Sequence, residues 1–239
     1  MTSLHKSKHI YFHGEQSLEG YLAYDPSHQQ RRPAVLVIHD WSGRNEFACK
    51  KAELLASLGY VGFAVDMYGD ARVGETVEEK TALMQSVAYD RQFLRERIHA
   101  ALATLVALEQ VDAKRVAVIG FCFGGLCALD LARSGADICG VVSFHGLLDK
   151  PENIANQPIK AKILALHGYD DPMVTPAHVN AFCQEMTAAG VDWQVHMYGQ
   201  TKHAFTNPLA NDVVMGTVYD AVAEHRALQS MKNFLNEIL

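Results

Sequence analysis

Residues 115–133 read RVAVIGFCFGGLCALDLAR. The first five, RVAVI, are an apolar, β-branched run of strand character. GFCFGG (120–125) interrupts it with three glycines, and LCALDLAR continues at helical spacing. A strand that turns sharply into a helix through G-x-nucleophile-x-G is the sequence form of an elbow that lifts one reactive side chain out of the chain. Here that side chain is Cys122. The glycines serve the tight turn, where neighbouring side chains must be minimal. A cysteine at a helix N-terminus also sits where the dipole favours thiolate. Two other readings compete with this one. One is a Gly-rich turn around a buried cysteine. The other is a phosphate cradle, against which stand the missing GK[ST] and the wrong spacing for GxGxxG.

Outward from the elbow, strands and helices alternate. PAVLVIH (33–39), YVGFAVD (60–66), ICGVVSF (138–144) and KILALH (162–167) are near-continuous apolar runs, and WQVHMY (193–198) is a more polar one. Such runs fit strands buried on both faces. Helices are expected at 46–58, 76–109, 123–134, 176–189 and 213–237. The second is expected to break near Asp90, and the last rests on the spacing of Val214, Val218, Ala221, Val222 and Leu228. The alternation predicts an α/β fold, with a mostly parallel central sheet and helices on both faces. Residues 8–13 and 18–24 form an antiparallel N-terminal edge around a turn, and 67–76 form a loop over the top of the sheet. One domain, 1–239, is expected at this length.

Composition narrows the function. The chain has 239 residues, 49% of them hydrophobic, with 21 basic and 27 acidic side chains for a net charge of −6. That balance lacks the basic footprint of a nucleic-acid binder or of a protein held on anionic lipid. No apolar run approaches the ~18 residues of a membrane span, and the N-terminus has no apolar leader. The five cysteines show no CxxC spacing, so neither a disulfide framework nor a zinc site is expected. Cys127 and Cys139 read as core. A reduced, cytoplasmic chain with no bound metal is the expectation.

A nucleophile needs a base, and the base an orienting acid. In an α/β-hydrolase they follow in the order nucleophile, acid, histidine, each in a loop after a later strand. KILALH is followed by GYDDPMV and WQVHMY by GQTKHAF, which puts Asp171 and His203 in those places. Asp170 competes with Asp171. Pro172 favours Asp171, because the residue before a proline is held extended.

GFCFGG, HGYDDPMV and YGQTKHAFTNP resemble the dienelactone hydrolase family, the cysteine branch of the α/β-hydrolases, from about residue 8 to the C-terminus. The resemblance implies an α/β-hydrolase fold. It implies hydrolysis of small esters or lactones through a Cys122–His203–Asp171 triad, with no cofactor. A small-molecule ester or lactone as partner, and a monomer or homodimer, are the expectations. It also implies an oxyanion hole from the backbone N–H groups of Trp41 and Phe123. Asp40 stands where the family's dienelactone enzymes carry a glutamate near the nucleophile. Asn207 stands where they carry an arginine that grips the substrate carboxylate, with Arg44, Arg72 and Arg91 as possible substitutes. The substrate therefore need not be an anionic lactone.

Other features have plainer readings. His5, His9 and His13 lie four apart in a stretch that reads as tail and strand, where that spacing does not converge on a metal. His39, His145 and His167 end buried strands, where they can line a pocket or simply be hydrogen-bonded. Trp41 and Tyr68 pack on substrate or on their own loops. Acyl transfer or thioester cleavage at the same triad, and a non-catalytic binding module, are the alternative functions.

Overall fold

The computed structural model describes residues 3–239. The chain forms two compact units, the first ending at Val118 and the second running Ile119–Leu239. The division falls inside one strand.

In the first unit, β1 (His5–His13) and β2 (Gln16–Tyr24) are antiparallel, in register from His5 opposite Tyr24 to His13 opposite Gln16. β3 (Arg32–Ile38) and β4 (Val61–Val65) are parallel, and β2 joins β4 antiparallel. With β5 (Val111–Phe121) the order is β1-β2-β4-β3-β5. Ala34–Ile38 and all of β4 are buried. α1 (Glu46–Ser57) lays Ala48, Ala52, Leu55 and Ala56 on them, a stripe at helical spacing. The expected long helix is two. α2 (Val77–Ala88) starts at a Thr76–Glu79 capping box, and α3 (Arg91–Val106) starts at Asp90. Asp90 Oδ1 accepts from the N–H groups of Gln92 and Phe93, both at 3.0 Å. A cap of this kind satisfies first-turn donors that otherwise lack partners.

In the second unit the order is β5, β6 (Gly140–Phe144), β7 (Lys162–Gly168) and β8 (Trp193–Tyr198), with β6/β7 and β7/β8 parallel. α4 (Phe123–Arg133) is buried along its whole length. α5 (Pro176–Ala188) follows β7, and α6 (Ala221–Ile238) packs on β6 and β7 through Ala223, Ala227, Met231, Phe234 and Leu235. Each fully buried Leu, Met or Phe in such a stripe contributes about 1.5–3 kcal/mol. Parallel pairing with helices between strands and an antiparallel N-terminal edge is the expected α/β class.

The expected helix at 213–237 is corrected at its start. Residues 211–218 form a hairpin of β9 (Asn211–Asp212) and β10 (Thr217–Val218), and α6 begins only after Asp220 caps Val222 and Ala223. Val214 is fully exposed, so its place in the apolar spacing faces no core. Gly216, at φ +78°, supplies the left-handed residue the hairpin needs.

Arg133 ends α4 with no side-chain exposure. Its Nε and Nη2 donate to the two carboxylate oxygens of Glu185 on α5 at 2.9 and 2.7 Å. Nη2 also reaches Leu148 O, and Nη1 reaches Asp149 O and Asp130 Oδ1. One guanidinium thereby ties α4, α5 and the segment after β6. Among the described residues, no helix is long and apolar enough to cross a membrane.

Candidate active site

Cys122 stands between β5 and α4 with φ 54° and ψ −115°. A left-handed backbone on a residue with a side chain stores strain of order 1–3 kcal/mol. Its N–H donates to Phe144 O at 3.0 Å, and its carbonyl accepts from Gly125 N at 2.9 Å as α4 begins. A Cβ at Gly120 would stand 2.0 Å from Gly124 O. One at Gly125 would stand 2.5 Å from Ser143 Oγ and 2.6 Å from Gly146 Cα. Both glycines are therefore demanded by close approach of other chain segments. Cys122 is half-buried, while Cys127 is buried in α4. The Phe123 N–H is the first donor of α4 and points out of its N-terminal end, as helix geometry requires.

The loop after β7 carries Asp171. Its Oδ1 accepts from Met173 N at 2.8 Å and Val174 N at 3.0 Å, and its Oδ2 lies 2.7 Å from His203 Nδ1. Burial raises the Asp171 carboxyl, but the bond to His203, the charges of His203 and His167 and the Val174 N–H bring it below the usual range. Asp170, the competing carboxylate, is exposed. His167, one residue before the end of β7, places Nε2 2.9 Å from Val174 O and 3.5 Å from Asp171 Oδ2. Burial pushes its imidazole down, towards the neutral form that donates to Val174 O.

His203 lies in the loop after β8 and is 1% exposed. The new hairpin holds its backbone: His203 N donates to Gly216 O, and Val218 N donates to His203 O, both at 3.0 Å. With Nδ1 on Asp171, Nε2 turns to the other side. That nitrogen is buried, with the Cys122 sulfur beside it but outside strict hydrogen-bond geometry. Catalytic hydrogen bonds are often loose in this way before substrate binds. Burial disfavours a charged imidazole here, yet the charges of Cys122 and Asp171 outweigh it, and His203 is pushed up to about 10.

The other expected residues have local duties. In the first unit, His39 Nδ1 lies 2.5 Å from Asp40 O, and its Nε2 accepts from Met67 N. Asp40 is buried, and its Oδ1 accepts from Ser42 N at 2.8 Å, an Asx-type turn. The Trp41 carbonyl accepts from the Tyr68 hydroxyl at 2.9 Å, and Lys80 lies over the Trp41 ring. Arg44 is paired with Glu19 at 2.6 Å. Arg72 donates to Tyr68 O and Gly69 O of its own loop. In the second unit, Asn207 Oδ1 accepts from Leu209 N at 3.0 Å and makes a turn. His5, His9 and His13 lie along β1, where a four-residue step is about 13 Å. A groove of about 590 Å³ is lined by Arg72 and by residues between 73 and 86 of its own unit, and holds neither Asp40 nor Trp41. Missed from sequence were Thr206, which bonds His145, and the hairpin that holds His203.

A model of the family described as "Dienelactone hydrolase family" matches residues 18–239. The chain belongs to the dienelactone hydrolase family. The dienelactone hydrolase-like promiscuous phosphotriesterase P91 from metagenomic libraries has a crystal structure that matches with a TM-score of 0.92. It is 37% identical, with 99% of each chain covered. A Bradyrhizobium protein named "Probable 2-oxo-3-(5-oxofuran-2-ylidene)propanoate lactonase" is 30% identical over 185 residues, 73% of this chain and 74% of that one. The crystal structure of MGS-M1, an alpha/beta hydrolase from a Medee basin deep-sea metagenome library, matches with a TM-score of 0.70 at 17% identity, over 100% of this chain and 99% of that one. Its likeness shows the fold. As a dienelactone hydrolase family member this chain is an α/β-hydrolase of a hydrolytic family.

Proposed function

We propose that this protein hydrolyses small, uncharged carboxylic esters or lactones through a thioester intermediate on Cys122. The observation that carries the reading is the 2.7 Å contact of His203 Nδ1 with Asp171 Oδ2, which turns Nε2 towards the cysteine at the elbow. His203 holds the proton taken from the Cys122 thiol. The sulfur attacks the carbonyl carbon, and the Phe123 N–H meets the oxyanion that forms. As the C–O bond breaks, His203 Nε2 gives its proton to the departing alkoxide. A water then attacks the thioester and passes a proton to Nε2. The C–S bond breaks, the acid departs and Cys122 is restored.

Three side-chain commitments support an uncharged substrate. Asn207, where an arginine was expected, spends its side chain on a turn, and Arg44 and Arg72 are committed to Glu19 and to loop carbonyls. The test is turnover of p-nitrophenyl acetate, dienelactone and a neutral phosphotriester, the last because of the P91 name, by wild type and Cys122→Ala. Turnover of the neutral ester, lost in the variant, is expected. Preferred turnover of dienelactone would overturn the substrate reading, and full activity in Cys122→Ala would overturn the mechanism. Added alcohol or thiol acceptors in the same assay distinguish acyl transfer from hydrolysis.

A further inference from the structure

We infer that His145, tied to Thr206, is a positioning residue for His203; the inference rests on the base role proposed for His203. β6 runs straight into His145, which has φ +38°. A left-handed backbone is unfavourable for a residue with a Cβ, and it persists only where the surroundings over-determine it. Here they do. The His145 N–H donates to Leu166 O at 2.8 Å, continuing the ladder to β7 past the end of regular β6. Its ring is buried and packs at 5.2 Å and 63° on the ring of His203. On another side it meets Phe205 at 5.1 Å and 78°. Its Nε2 lies 2.8 Å from the hydroxyl of Thr206, which is completely buried.

One ring at the end of a strand therefore touches three of four consecutive residues, 203, 205 and 206, in a loop whose Thr206 is 61 positions away. That loop is irregular, and Ala204 inside it is itself left-handed at φ +57°. Asp171 fixes one edge of the His203 ring. A single hydrogen bond leaves rotation about its own axis open, and His145 supplies the second restraint that sets the ring plane. Thr206 in turn fixes the plane of His145. Reacting groups misplaced by about 1 Å lose on the order of a hundredfold in rate, so a restraint of this kind acts on turnover more than on binding.

The experiment is steady-state kinetics on p-nitrophenyl acetate for the full-length His145→Ala, His145→Phe and Thr206→Val variants and for His145→Phe/Thr206→Val, with Cys122→Ala alongside. His145→Ala is expected to lower kcat by tenfold to a hundredfold with KM within about twofold. His145→Phe, which restores a ring, is expected to recover most of that loss. Thr206→Val is expected to lower kcat in wild type but not further in the His145→Phe background, because the two act through one contact. Unchanged kcat in His145→Ala, or a change confined to KM, would overturn the inference. If that variant does not fold by circular dichroism, additive losses from Thr206→Val and His145→Phe would overturn it instead. Loss in Cys122→Ala with no effect at His145 would leave the proposed function standing and remove only this brace. Full turnover by Cys122→Ala would remove both.

Discussion

His203 Nδ1 lies 2.7 Å from Asp171 Oδ2 across 32 residues of sequence, and two backbone N–H groups hold the other carboxylate oxygen. The carboxylate therefore cannot turn, and it selects the imidazole tautomer that carries its proton on Nδ1. Asp171→Asn keeps the size and places an NH2 or a carbonyl against Nδ1, which favours the wrong tautomer. Its kcat on p-nitrophenyl acetate is expected to fall roughly a thousandfold to ten-thousandfold. A loss smaller than about tenfold would show that Asp171 does not orient the base.

The second expectation concerns where His203 titrates. Burial pulls its pKa down, and Cys122 and Asp171 together push it up to about 10 from an ordinary 6.5. A group raised on folding stabilises the fold fully below 6.5 and loses that contribution as the pH rises through about 10. The stability margin of wild type over His203→Gln should accordingly shrink across that window. In Cys122→Ala the larger of the raising influences is gone, so the imidazole titration followed by NMR should move to lower pH. A midpoint that stays put in Cys122→Ala would mean the two side chains do not share a proton.

Arg133 offers a test of the scaffold rather than the chemistry. Its guanidinium is fully buried and neutralises Asp130 and the fork on Glu185. Arg133→Met removes the cation and leaves both carboxylates in place, a change of about 3–5 kcal/mol in folding stability. For a chain of this length that is a fall of about 10 °C in Tm by calorimetry. A Tm within about 2 °C of wild type would place the balance of that cluster elsewhere.

The parts legible in the sequence are those written in neighbouring residues. The apolar runs became β3, β4, β6 and β7, and the glycines around Cys122 became a turn with no room for a Cβ. Asp90 broke the long helix because a capping carboxylate needs only the next three residues. Residues 211–218 misled, since Val214 and Val218 mimic a helical stripe while Gly216 and Asp220 impose a hairpin and a new cap. Asp40 could be placed on its loop but not given a partner, and its Oδ1 proves to serve Ser42 two residues on. His145 with Thr206, and Arg133 with Glu185, lie 61 and 52 residues apart. No spacing rule connects such pairs, because the sheet order that brings them together is a property of the whole unit.

The central claim, an acyl group carried on Cys122, has a direct measurement. Wild type mixed with p-nitrophenyl acetate and quenched in acid within the first turnovers should yield an acetylated peptide by mass spectrometry, with the acetyl group on Cys122. The adduct should accumulate as p-nitrophenol is released and be missing from Cys122→Ala. Release of p-nitrophenol by Cys122→Ala at the wild-type rate, or turnover by wild type with the acetyl group found on another residue, would contradict the account.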